Sequence, residues 1–297
     1  MTTAKSSAAT SSAANSSAGD SAPIVLLHGF WHGTWCWSPV LAALAGRERM
    51  ATAVDMAGHG LNARRPAAAL ARPFDAEAFA TEVSPVADVT LDAAGDLLVA
   101  QLKQIGGGRP CVLVAHSMGG VVATRAIQQA PELVAHVVYL TAFMPASGVP
   151  AVAYAQSDDN KGELVLPSLC ADPVAVGALR LDPGSNDAAY RDVLRQAFYN
   201  DISPEQADAV IALLGCDAAA GIAVGTTELT ADGWGSVPRT YVVCNRDNAI
   251  RPTLQRRFVA EADAAYPANP TTVIELDASH SPFLSMPDRV ADIVTSR

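Results

Sequence analysis

The chain has 297 residues, half of them hydrophobic, and a formal net charge of −10 from 30 acidic and 20 basic residues. That balance, with no basic stripe to displace counterions from a phosphate backbone, excludes nucleic acid as a partner. No uninterrupted apolar run is long enough to span a bilayer, so no membrane role is expected.

Residues 1–22 are mostly Ser, Ala and Thr with one Lys, lacking both a secretory apolar core and an Arg-rich amphipathic pattern. They read as a disordered leader. Strand-like runs follow at 23–28 and 50–55, with helical spacing at 38–45 between them. A polar, Pro-interrupted loop extends to about residue 88, then a helix is expected over 91–104. A third strand at 111–116 runs into Ala115-His116-Ser117-Met118-Gly119 and the start of another helix. Further strands are expected at 136–142, 239–245 and 271–276, with helices at 252–264 and 287–295. Short β-branched strands alternating with helices predict a mostly parallel six-stranded sheet covered on both faces. The 95 or so residues at 143–238 break the alternation and show no strand. Their helical spacing at 187–199, and a capping box at Ser203-Pro204-Glu205-Gln206 opening a helix to 214, predict a mainly helical cap. The division is therefore a core of 23–142 and 239–297 with a cap of 143–238.

Five cysteines (Cys36, Cys111, Cys170, Cys216 and Cys244) are scattered without Cys-x-x-Cys spacing. They predict no disulfide framework and no metal site, with Cys111 and Cys244 as buried thiols. Reduced thiols point to a cytoplasmic location.

A strand, a serine flanked by small residues two positions away on each side, and a helix make the context of a nucleophile elbow. Serine is a weak nucleophile until a base takes its proton and a third group orients that base. His280, after the last strand and before a helix, is the candidate base. Asp247, after the fifth strand, is the candidate acid; Asp277 is the alternative, but three residues from His280 on one loop it reaches Nδ1 awkwardly. The order Ser…Asp…His fits. The oxyanion donors are expected to be the amides of Met118 and Phe30, with Gly29 letting the first loop turn beneath the ester. Trp31, Phe143, Trp234 and Phe283, with Gly29, are expected to line a mostly hydrophobic substrate pocket. His28 and His136 read as structural, and His116 as pointing away from its neighbour Ser117. Gly58-His59-Gly60 with Leu61-Asn62-Ala63 loosely matches a dinucleotide fingerprint, but Arg64-Arg65-Pro66 follows where a helix is needed.

From about Ala22 to the C-terminus these residues resemble the α/β-hydrolase superfamily. The similarity is to its group of small carboxylesterases, plant methylesterases and hydroxynitrile lyases. It rests on the run from Leu26 to Trp37, the elbow, the Asp247 segment with Gln255, and His280 followed by Ser285-Met286-Pro287. Ala115 stands where the group usually has glycine. The resemblance implies that a lyase would place a hydroxyl-bearing residue at Gly29 and a lysine at Ser281. Esterase chemistry is therefore expected, with no cofactor and a small-molecule ester as partner. A ligand-binding protein on the same fold, and a thioesterase or C–C bond hydrolase with the same triad, are the alternatives.

Overall fold

The computed structural model describes residues 21–297. The expected leader therefore lies outside the described residues up to position 20, whereas Ala22, assigned to it, already packs on the core. The strands are β1 (Ile24–Leu27), β2 (Ala51–Val54), β3 (Cys111–Ser117), β4 (Val134–Ala142), β5 (Ala178–Arg180), β6 (Asp217–Ala219), β7 (Arg239–Cys244) and β8 (Thr272–Leu276). Six of them form one sheet in the order β2-β1-β3-β4-β7-β8. Every pairing in it is parallel.

Continuous apolar strands arise here because both faces of the sheet are buried. Alternate residues feed two separate cores. Val25, Leu27, Leu113, Ala115, Tyr139 and Tyr241 face one, together with helices Leu91–Gly106, Gly119–Gln129 and Pro252–Ala265. Ile24, Leu26, Val112, Val114, Leu140 and Val242 face the other, against helices Ser38–Ala45 and Pro287–Thr295. The first long helix starts where Thr90 Oγ1 accepts the Ala93 amide and stops at Gly107, whose φ of +54° no side chain favours.

The chain leaves β1 toward β2 and returns to β3 on the other side, so β1 and β3 flank the switch point where such sheets bind ligands. Two sequence expectations need correction. The loop after β2 holds two short helices, Ala67–Leu70 and Ala76–Thr81, the second capped by the Asp75 carboxylate. The segment between β4 and β7 is not strandless: β5 and β6 pair antiparallel, with Arg180 opposite Asp217. Its helices Ala188–Phe198 and Pro204–Ile211 form as expected, and Ser203 Oγ accepts the Gln206 amide. The second helix ends at Ile211, short of residue 214. Trp31 sews this segment to the first loop, its Nε1–H donating to Leu179 O at 3.0 Å and its carbonyl accepting Gly215 N–H at 2.7 Å.

Candidate active site

The carboxyl ends of β1, β3, β4, β7 and β8 each supply one part of a single site. β3 ends at Ser117, held at φ +52°, a left-handed conformation costly for a non-glycine residue and characteristic of strained functional turns. The turn closes because Gly119 has no side chain: a Cβ there would lie 2.4 Å from His28 O. Ala115, the departure from the usual glycine, is accommodated with no exposed surface. The Phe143 amide donates to Ser117 O at 3.0 Å, tying the elbow to the end of β4.

His280 Nε2 accepts the Ser117 hydroxyl at 3.0 Å, and its Nδ1–H donates to Asp247 Oδ2 at 2.7 Å. Asp247 and His280 are 0% and 1% exposed. The carboxylate is further fixed by its own loop, Oδ1 accepting the amides of Ala249 and Ile250 at 2.7 and 2.8 Å. Oδ2 also receives the Thr141 hydroxyl and, at 3.4 Å, Gln255 Nε2. An anion buried this deeply persists only with such donors around it. Asp277, the alternative acid, is 80% exposed and pairs with Arg246, away from the site.

Gly29 runs directly under Ser117, where a Cβ would stand 2.5 Å from Ser117 Cβ and 3.1 Å from Oγ. Among the described residues the Phe30 and Met118 amides flanking this space donate to no acceptor. A cleft enclosing about 420 Å³, its mouth included, opens above Ser117 and His280. Phe30, Trp31 and Met118 wall it from the core, and Phe143, Val165, Leu166, Leu179 and Phe198 from the segment between β4 and β7. No lysine or arginine lines it among the described residues, and one carboxylate, Glu163, does. Burial raises that carboxyl above its ordinary pKa, while the Leu166 and Val165 amides pull it down.

Two of the expected pocket aromatics lie elsewhere. Trp234 is buried against Arg239 and Tyr266 and donates Nε1–H to the Tyr139 hydroxyl oxygen at 2.7 Å, so it anchors the returning chain beneath the sheet's end. Phe283 leaves the His280 loop toward the opposite face and packs on Trp37 and His116. Gly29 shapes the floor beneath Ser117 through its backbone and is not part of the cleft's wall.

The other histidines are structural in different ways. His28 Nδ1–H donates to Gly29 O at 2.7 Å and its Nε2 accepts the Met56 amide, and His136 bonds Thr240. His116 does point away from the cleft, yet its Nε2–H donates to His280 O at 2.8 Å, so it positions the loop that carries His280. Burial and the neighbouring His280 ring hold His116 far below the usual imidazole pKa, hence neutral. In the Gly58–Gly60 turn the space a phosphate would need is taken by the Asp55 carboxylate, which accepts Thr34 and Leu61 amides. Asp201, from the segment between β4 and β7, receives Ser279 N–H at 2.8 Å and steadies the residue next to His280. Thr141, Glu163 and Asp201 escaped the sequence reading because none stands in a motif, and His116, inside the elbow, shows no link to the His280 loop in sequence. Each matters only through a partner more than 70 residues away or through the cleft it enters.

The alpha/beta hydrolase family profile matches residues 24–293. The chain belongs to the alpha/beta hydrolase family. Methylesterase 9 of Arabidopsis thaliana is 27% identical over 276 residues, covering 90% of this chain and 94% of its own. Esterase PIR7B of Oryza sativa subsp. japonica is 29% identical over 283 residues, covering 91% and 93%. A pyrethroid hydrolase from Sphingobium faniae JZ-2 superposes with a TM-score of 0.67 at 24% identity, covering 93% of this chain and 96% of its own. That last likeness speaks for the fold. Among the described residues of this family member, no helix is long and apolar enough to cross a membrane, and no three His, Cys, Asp or Glu side chains cluster to hold a metal.

Proposed function

We propose that the protein is a serine hydrolase cleaving carboxylic esters of small or medium, mainly apolar compounds through an acyl-enzyme. The observation that carries this reading is the unbroken hydrogen-bond chain from Asp247 through His280 to Ser117 on the floor of the cleft. The esterase names of the relatives support the substrate bond.

Ser117 Oγ attacks the ester carbonyl carbon as His280 Nε2 takes its proton. Asp247, accepting Nδ1–H, keeps the ring in the required tautomer and stabilises the imidazolium. The carbonyl electrons move to oxygen, where the amides of Phe30 and Met118 receive the charge, each contributing about 3 kcal/mol of transition-state stabilisation. The tetrahedral species collapses, the C–O bond to the alcohol breaks, and the leaving oxygen takes the proton from His280. Water, deprotonated by the same imidazole, then attacks the acyl carbon and frees the acid and Ser117. Residues 143–238 act as a cap whose apolar wall excludes bulk water from this sequence.

An apolar cleft without a cation disfavours a substrate carboxylate by about 2 kcal/mol or more relative to a neutral isostere. The test is turnover of p-nitrophenyl acetate and butyrate by the wild type and Ser117→Ala, with fluorophosphonate labelling alongside. Turnover and labelling that vanish together in Ser117→Ala bear the proposal out. A wild type that neither turns over nor labels refutes it and leaves a protein that only binds such compounds.

A further inference from the structure

We propose that Glu163 sets substrate choice, and that the cleft takes esters carrying a protonated amine. This rests on the esterase reading and names its substrate class. Glu163 sits in a turn bound to the loop that carries Asp247: the Leu164 amide donates to Asn248 O at 2.9 Å, and Arg251 N donates to Asn160 Oδ1 at 2.8 Å. Its position relative to the catalytic loop is therefore fixed before any ligand arrives.

Within the turn, Glu163 Oε2 accepts the amides of Val165 and Leu166 at 2.7 and 3.0 Å. That task needs an acceptor, not a charge; a glutamine amide oxygen would perform it. The second oxygen, Oε1, has no protein donor among the described residues, and Glu163 lines the cleft. Among the described residues no cation offsets it: no ion pair includes Glu163, and no nearby charge moves its pKa. Burying an uncompensated carboxylate costs free energy that a cationic, N–H-donating ligand returns. Trp31, Phe143 and Phe198 line the same cleft, and aromatic rings attract the same kind of group. A half-buried carboxylate with one free oxygen, aromatic walls and no competing Lys or Arg select together for an ammonium over a neutral or anionic group.

The experiment uses matched trios of esters near neutral pH. On the alcohol side these are dimethylaminoethyl, isoamyl and carboxyethyl butyrate, which are nearly isosteric and differ in charge; a second trio carries the same three groups on the acyl side. kcat/KM is measured for the wild type, Glu163→Gln and Glu163→Asp, each normalised to its own neutral ester. In at least one trio the wild type is expected to favour the amine over the neutral ester by about tenfold or more. Glu163→Gln removes most of that ratio and Glu163→Asp keeps part of it. A wild type with no amine preference in either trio overturns the assignment even if the variants do not fold, as does a ratio that survives Glu163→Gln. Hydrolysis of the neutral esters without charge discrimination leaves the esterase reading standing, whereas no hydrolysis of any ester overturns both.

Discussion

Acidification from pH 7 to pH 5 should strip stability from this protein through three imidazoles that its fold encloses. His32, His59 and His116 are 2%, 2% and 0% exposed. Each is bonded as a neutral ring. His32 donates Nδ1–H to Phe30 O and accepts the Tyr199 hydroxyl at Nε2, both at 2.8 Å. His59 donates Nδ1–H to Ala57 O at 3.0 Å and His116 donates Nε2–H to His280 O at 2.8 Å, and the remaining nitrogen of each is buried without a partner. A second proton on His59 or His116 would be an enclosed charge with no acceptor among the described residues, and one on His32 would find only the neutral Tyr199 hydroxyl oxygen. Burial accordingly lowers His32 and His59 to about 3 and His116 well below its ordinary value. In the unfolded chain all three titrate near 6.5. Below that pH the unfolded state binds protons that the folded state refuses, so stability falls as pH falls, and continues to fall until the folded pKa is reached. Each group removes about 1.4 kcal/mol per pH unit once the pH is well under 6.5, so the three together remove about 5 to 6 kcal/mol between pH 7 and pH 5. A domain's whole margin is about 5 to 15 kcal/mol. Asp55 does not blur the window: burial raises it, but the adjoining His28 ring and the bonded amides of Leu61 and Thr34 hold it at about 2, so its contribution is lost only below about pH 4. Urea unfolding followed by tryptophan fluorescence at about pH 7, 6 and 5 measures the slope. Unfolding free energies that agree within about 1 kcal/mol across that range would refute the reasoning.

Other perturbations probe the site and its supports. Thr141→Val removes the hydroxyl donor to Asp247 Oδ2 without touching the cleft, so kcat on p-nitrophenyl butyrate should drop about tenfold with KM little changed. A wild-type kcat would show that the remaining donors suffice. Gly29→Ala places a Cβ 2.5 Å from Ser117 Cβ; the floor must shift, and activity should fall about 100-fold while circular dichroism stays native. Ordinary activity would mean that the loop yields freely. Asp217→Ala strands Arg180, which is 0% exposed and also donates to the Phe79 and Glu82 carbonyls, and should cost about 3–5 kcal/mol in chemical unfolding. A loss below about 1 kcal/mol would show that water reaches the guanidinium.

The four inner strands β1, β3, β4 and β7 were legible because burial on both faces makes each a mostly apolar run, the part-exposed edge strands β2 and β8 showed by their Thr, Val and Ile, and all six formed within one or two residues of the expected bounds. The elbow was equally legible, since its pattern, a serine with the small residues Ala115 and Gly119 two positions away on each side, lies in one contiguous stretch, although the backbone that Gly119 must clear belongs to His28. β5 and β6 were not: at three residues each they carry no period, and their pairing places Arg180 opposite Asp217 across 37 positions. Aromatic placement failed for a related reason. Trp234 and Phe283 lie beside the site in sequence, but which sheet face a side chain joins is settled by packing around it. The sequence by itself determined the strands, the turn that presents Ser117, and the residues that meet at the strands' carboxyl ends, because periodicity and local sterics are properties of neighbouring residues. Only the tertiary structure decided which groups hold Asp247 and His280 in place and that Glu163 faces the cleft, because hydrogen bonds and burial are set by residues that become neighbours only on folding.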